Sequence, residues 1–217
     1  VTFEEAQELA YFGAQIVHPQ SLQPAADRDS PVVVRNTFNP AHPGTPVAPR
    51  DERDDHPVRG ISTIDGVALV NVEGSGMIGV LGVAGRLFTA LAEHGVNIIM
   101  ISQASSEHSI CFVTRSEELE TAVQAVEEAF AGELEARLVQ RIERLDNLSV
   151  LSVIGSKMRG TVGLSGRFFG ALGVVGVNVL AISQGSSERN ISIVVSSADV
   201  KSAVQAVHDA FALGGSN

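Results

Sequence analysis

The sequence contains no tryptophan, one tyrosine and one cysteine among its 217 residues, and it is short of basic side chains. Each shortage removes a class of explanation. The lone thiol, Cys111, cannot build a disulfide framework or a cysteine-based metal site, and it points to a reducing cytoplasm. Fifteen Lys and Arg against 25 Asp and Glu leave a formal net charge of -10, which disfavours nucleic acid and anionic membrane as partners. No apolar run approaches the roughly 20 residues that span a bilayer, and the start of the chain has no basic-then-apolar secretory pattern. The six histidines are scattered without metal-ligand spacing, so no metal site is expected. A nucleophile elbow, a P-loop and paired catalytic carboxylates are missing too.

What the chain does contain is itself, twice. Residues 72–130 reappear as 153–211 at a constant offset of 81, without a gap. The clearest stretch is GVNIIMISQASSEHSICFV, from Gly95, against GVNVLAISQGSSERNISIVV, from Gly176. A repeat this long exceeds the roughly 20 to 50 residues of solenoid units, so each copy is expected to be a small domain.

In the first copy, 67–72 alternates as a strand and 74–79 is a glycine-rich turn. A helix with the stripe Ala84, Leu87, Phe88 and Leu91 follows and stops at Gly95. A strand over 96–102, a polar turn over 103–107 and a returning strand over 110–114 come next. The second helix carries Leu119, Val123, Val126 and Phe130, with Ser116 as its expected N-cap. A fourth strand over 138–142 closes a βαββαβ order. The second copy repeats both helical stripes, at Ser165, Phe168, Phe169 and Leu172, and at Val200, Val204, Val207 and Phe211. Its fourth strand has no counterpart, and an unfinished sheet exposes an edge that folded proteins avoid. The segment 58–64 is the expected donor, which nests the first domain inside the second.

Ahead of the repeats, Thr2 and Glu5 read as a capping box before Leu9, Phe12 and Ile16 at near-helical spacing. A helix so near the first residue suggests a piece cut from something longer. Residues 31–34 are a short strand candidate, and the proline-rich stretch 39–57 reads as a linker. The expected division is therefore 1–57, then a first domain over 65–145, then a second built from 58–64 and 146–217.

Gly74-Ser-Gly-Met-Ile-Gly79 spells GxGxxG between strand and helix, but a dinucleotide site does not fit. The second copy puts Lys157 where the middle glycine would let a pyrophosphate approach. No acid ends the second strand, and a strand rather than a helix follows it. Backbone N–H groups at a helix N-terminus, facing a carboxylate, are the better reading of these glycines. A polar set recurs beside them: Asn97, Ser102, Gln103, Ser105, Ser106 and Glu107, mirrored by Asn178, Ser183, Gln184, Ser186, Ser187 and Glu188. These residues can simply build the hairpin turn. They also suit a small zwitterion, whose ammonium wants oxygen and whose carboxylate wants N–H.

These strings resemble tandem ACT domains, and ISQASSEHSICF and ISQGSSERNISIVV resemble the C-terminal regulatory region of aspartokinases. The stretches EEAQELAYFGAQIVHPQSLQPA, VVVRNTFNPAHPGT and HPVRGIS are similar to the end of the aspartokinase kinase domain and its passage into that region. The resemblance implies an α+β fold of two ferredoxin-like ACT domains (βαββαβ), with a short remnant of the α/β kinase domain at the N-terminus. It implies a parent that phosphorylates the side-chain carboxylate of aspartate with ATP and Mg, and a fragment that is itself inactive and needs no cofactor. It implies allosteric feedback inhibition by an amino acid, and an assembly that is a homodimer or larger, with the kinase domain in cis.

Carried over by position, the effector contacts are Met77, Gly79, Val80, Asn97, Ile99, Met100, Gln103, Ser106 and Glu107. A second set falls on Met158, Asn178, Gln184, Ser187 and Glu188, where Lys157 and Arg159 replace Gly76 and Ile78. In lysine-inhibited relatives an aspartate stands at the position of Met100, and Gln103 resembles the threonine-sensitive branch, often fused to homoserine dehydrogenase. The resemblance thus favours threonine over lysine. A structural dimerisation module without a ligand, and a free-standing enzyme, are the competing readings.

Overall fold

The computed structural model describes residues 1–14, 17–49, 56–103 and 108–214. Two 14-residue strands, β3 (Gly60–Glu73) and β6 (Arg141–Ile154), pair antiparallel along most of their length at the centre of a six-stranded sheet. The other strands are β4 (Met100–Gln103), β5 (Ser109–Arg115), β7 (Ala181–Ser183) and β8 (Asn190–Ser196). The sheet order is β4-β5-β3-β6-β8-β7, with every pair antiparallel.

Each long strand serves both repeats. Residues 67–73 of β3 pair with β5 on one side and the start of β6 on the other. Residues 60–65 pair with 149–154 of β6, whose other edge carries β8. Each half therefore has four strands in the ferredoxin-like order 4-1-3-2, and each takes its fourth strand from the chain that opens the other. Strand 58–64 and strand 67–72 of the sequence reading are one continuous β3. Gly66, at φ +67°, takes up a register shift there, and such a glycine reads as a break in sequence.

Helices α3 (Val83–Glu93) and α4 (Leu119–Ala129) cover the first half. Leu87, Leu91, Val123, Val126 and Phe130 meet Val70, Val72, Ile110 and Phe112 there. Helices α6 (Leu164–Val174) and α7 (Val200–Ala210) cover the second half, burying Phe168, Leu172 and Val207 against Leu151, Val153, Ile191 and Ile193. A short helix α5 (Ala131–Glu135) precedes β6. On the opposite face, Ile64, Val67, Leu69, Met100, Val113, Val150, Ile154 and Val194 form a third cluster, and edge strands β4 and β7 lie close together across it. Helix α1 (Phe3–Tyr11) reaches this cluster through Phe12, while α2 (Pro19–Ala26) packs on α1.

Several local expectations are corrected. The strand expected over 96–102 starts only at Met100, because side chains rather than a strand hold the Asn97 backbone: the Thr114 hydroxyl lies 2.8 Å from its carbonyl, and its N–H reaches Glu118 at 3.4 Å. The strand expected at 138 starts at Arg141. Arg137 turns left-handed at φ +58°, and the Leu138 and Val139 N–H groups close back on the Glu133 carbonyl. Ser116 is not an N-cap; its hydroxyl donates to Asp146 at 2.6 Å, and a 3-10 turn (Ser116–Glu118) leads into α4. The proline-rich linker contains β2 (Thr45–Val47), paired with β1 (Val32–Val34) in a two-stranded ribbon where Pro46 can sit at an edge. Ile16 lies outside the described residues.

The capping box forms as expected: the Glu5 N–H donates to Thr2 Oγ1 at 3.1 Å, and the Thr2 N–H donates to Glu5 Oε2 at 2.8 Å. Burial by itself would raise the Glu5 pKa. Hydrogen bonds from the Ser156 hydroxyl and N–H and from the Thr2 N–H, together with the Arg59 charge, outweigh it and hold the carboxyl below its ordinary 4.5. A depressed folded pKa contributes stability above the unfolded value and loses it as pH falls through the folded one. Denaturant midpoints should therefore fall more steeply below pH 4.5 in the wild type than in Glu5→Gln.

Close approach explains one pair of repeat glycines. A Cβ on Gly74 would collide with the Leu138 carbonyl, and one on Gly155 with that of Pro57, since each turn packs on the chain entering the fourth strand of its half. Gly155→Ala should cost about 1–3 kcal/mol through overpacking. Gly170→Ala, mid-α6 with open space around it, should gain about 0.5–1 kcal/mol. Thermal unfolding of the two variants checks both signs.

Candidate functional site

The first repeat's glycine segment runs from Gly74 through a 3-10 turn (Ser75–Met77) to Gly82, the N-cap of α3. Met77 is buried and anchors the turn, while Leu81 stands 98% exposed at its tip. Gly79 and Gly82 are left-handed, at φ +69° and +83°, which suits glycine. Gly82 has no side chain to cap α3, and no acid stands in the first turn, so the positive end of the helix is left for an anion.

That end lines a cavity of about 270 Å³. Met77, Gly79, Val80 and Gln103, all expected from the sequence, surround it with Leu81, the first turn of α3 and Ile110. Gln103 is there because β4 pairs in register with β5, Gln103 opposite Ile110, which puts both on the helix-covered face. Such a cavity offers N–H groups at one wall and an amide at the other, and it can take a small carboxylate that carries a further polar group.

Strand alternation separates the remaining residues. Met100, three positions from Gln103, faces the opposite side and is buried with Ile64, Leu69 and Val113. Ile99 and Met100 border a different cavity of about 300 Å³, with Phe12, Ser183, Asn190 and Ser192. Asn97 is exposed on the connection between α3 and β4. Ser106 and Glu107 lie outside the described residues, as does Ser105. A single copy of the chain therefore does not bring Ile99 and Met100 to the cavity that holds Gln103.

The second repeat builds the same turn differently. Met158 is buried like Met77. Glu188, left-handed at φ +53°, accepts the Gly160 N–H on Oε2 at 2.9 Å, so its carboxylate sits on the backbone of the glycine turn. Asn178, Gln184 and Ser187 are exposed. The helix N-terminus expected behind these glycines is the first turn of α3, which forms one wall of the cavity.

A family model described as "ACT domain" matches residues 70–130 and 151–211, which together cover more than half of the chain. The chain belongs to the ACT domain family. Its ACT pair matches the regulatory region of aspartokinases. A chloroplastic bifunctional aspartokinase/homoserine dehydrogenase 1 of Arabidopsis thaliana is 44% identical over 98% of this chain, which spans 24% of that protein. The aspartate kinase of Clostridium acetobutylicum superimposes with a TM-score of 0.87 at 25% identity, over 97% of this chain and 48% of the other. Aspartokinase III of E. coli, in its complex with lysine and aspartate, gives 0.77 at 26% identity over 96% of this chain and 45% of the other. The chain thus spans about a quarter of the first relative and about half of the structures it matches. No helix among the described residues is long and apolar enough to cross a membrane.

The ACT pair contains the one thiol, Cys111, opposite Ser102 in the β4–β5 ladder. Burial pushes its pKa up, and hydrogen bonding with Ser102 offsets only part of this. Alkylation by iodoacetamide at pH 8 should be at least about tenfold slower in the native chain than in denaturant, because only the thiolate reacts. Equal rates would contradict the placement of β5.

Proposed function

We propose that this chain is the amino-acid-sensing regulatory region of an aspartate kinase, and that it shifts the parent enzyme away from ATP-dependent phosphorylation of aspartate when an end-product amino acid binds. The observation that carries this reading is the meeting of the acid-free N-terminus of α3 with Gln103 across the 270 Å³ cavity. The helix end takes the effector carboxylate, and Gln103 takes its ammonium or side-chain hydroxyl. The E. coli relative in complex with lysine and aspartate supports an amino acid as ligand.

Threonine is the favoured effector and lysine the alternative. Among the described residues the cavity lining holds no carboxylate to meet a lysine ammonium, and burying that charge unpaired is costly. A homodimer or larger assembly fits the exposed Ile78, Val80 and Leu81 around the cavity mouth and Ile101 on the edge strand. Ile99 and Met100 would meet the effector only across such an interface. A pure dimerisation module, the second reading, draws on the same exposed residues.

The kinase domain in cis would hold ATP and Mg, and would cover the apolar groove formed by Val1, Ala6, Leu9, Leu22, Val34 and Val47. The half-buried lone thiol suits a cytoplasmic location.

Isothermal titration with threonine and, separately, lysine tests the reading. Saturable heat with threonine is expected, and Gln103→Ala should weaken it at least about tenfold, the equivalent of about 1.4 kcal/mol. Binding of neither amino acid, or an unchanged affinity in Gln103→Ala, would contradict it; the isolated chain should show no ATP-dependent activity on aspartate.

A further inference from the structure

Helix α1 lies outside both repeats and yet touches the glycine turn of the second and the back of strand β4, which carries Gln103, in the first. Its acidic side chains grip the second repeat at two places. The Ser156 N–H and hydroxyl donate to Glu5 Oε1 at 2.8 and 2.6 Å, which ties the first residue of the second 3-10 turn to the helix. One turn along, Glu8 Oε2 accepts from Asn190 Nδ2 at 2.7 Å, and Glu4 lies 3.7 Å from Arg189. Arg189 and Asn190 directly follow the polar turn that contains Gln184 and Glu188. At the other end of α1, Phe12 packs in the cluster of Ile99 and Met100, where strand β4 of the first repeat begins. The Ser62 hydroxyl donates to the Phe12 carbonyl at 2.8 Å and fixes that end on β3.

The duplication shows that this wiring is specific to the second turn. Ser75 and Ser156 occupy the same position in the two copies. The hydroxyl of Ser75 accepts from Gln140 at 3.2 Å, within its own half. Ser156 instead spends both its donors on Glu5. Glu5 is 3% exposed, its second oxygen holds the Thr2 N–H, and Arg59 Nε stands 3.5 Å away. A buried carboxylate saturated in this way cannot release one partner to water without a large desolvation cost, so a displacement of the turn is passed to the helix.

We propose that α1 is the element on which the states of strand β4 of the first repeat, which carries Gln103, and of the glycine turn of the second repeat converge, with Glu5 as the positioning residue that couples that second turn to it. This rests on the amino-acid-binding reading. Coupling then has a physical route: the first repeat acts on α1 through Phe12, and the second through Glu5 and Glu8.

Hydrogen exchange of the 217-residue chain, read peptide by peptide with and without saturating threonine, tests the proposal. In the wild type, threonine should slow exchange across residues 6–12 by about threefold or more. Glu5→Gln should keep threonine affinity within about twofold and lose most of that response. No change in α1 on saturation, or an undiminished change in Glu5→Gln, would overturn the proposal. Should neither threonine nor lysine bind in the titration, the amino-acid reading fails by itself, and the wiring is judged without ligand. Glu5→Gln should then speed exchange at residues 156–160 about tenfold with 75–79 unchanged, and equal behaviour of the two turns would refute it. Ser156→Ala, which removes only the hydroxyl bond, should give an intermediate acceleration and serves if Glu5→Gln does not fold.

Discussion

The pairing of β3 with β6 is the constraint on which the rest of this structure depends. Two 14-residue strands run side by side through the sheet centre, and each gives one half to each repeat. Without residues 60–65 the second repeat has an open edge beside 149–154, and without residues 141–145 the first has one beside 69–73. Both helix-covered clusters and the cluster on the opposite face hang on these two strands, through Val70 and Val72, Leu151 and Val153, and Val67 and Val150. Burial on both faces, as in 67–70 and 148–154, follows from that central position.

Sharing strands makes the two glycine turns parts of a single body while leaving them chemically different. The first turn packs Gly76 against Leu138 and opens onto the cavity of Gln103. The second has Lys157 at that position, has its Gly160 N–H taken by Glu188, and sends Ser156 to the α1 helix. Duplication supplied two copies of one device, and divergence at a few side chains gave them separate surroundings.

The parts of the fold that were legible in the sequence are those in which one strong local signal acts without competition. The helical stripes Leu87 to Leu91 and Val123 to Phe130 bury as their period requires, and Thr2 and Glu5 form their capping box. Legibility failed where side chains at long range decide. Nothing near Asn97 in sequence shows that Thr114 and Glu118 will hold its backbone off the strand ladder, and nothing near Ser116 announces Asp146. Gly66 conceals the continuity of β3 because a left-handed glycine serves a bulge as well as a turn. Of the site, Gln103 and the glycine turn meet at one cavity, while within one copy of the chain the period-2 alternation of β4 puts Met100 on the face opposite Gln103.

Calorimetric unfolding of the chain, with and without threonine, tests the central claim most directly. A sheet built from exchanged strands should melt in one transition whose calorimetric and van't Hoff enthalpies agree, and threonine should raise that transition as a whole. Two resolved transitions, with threonine moving only one of them, would show that the repeats stand independently and would contradict the account.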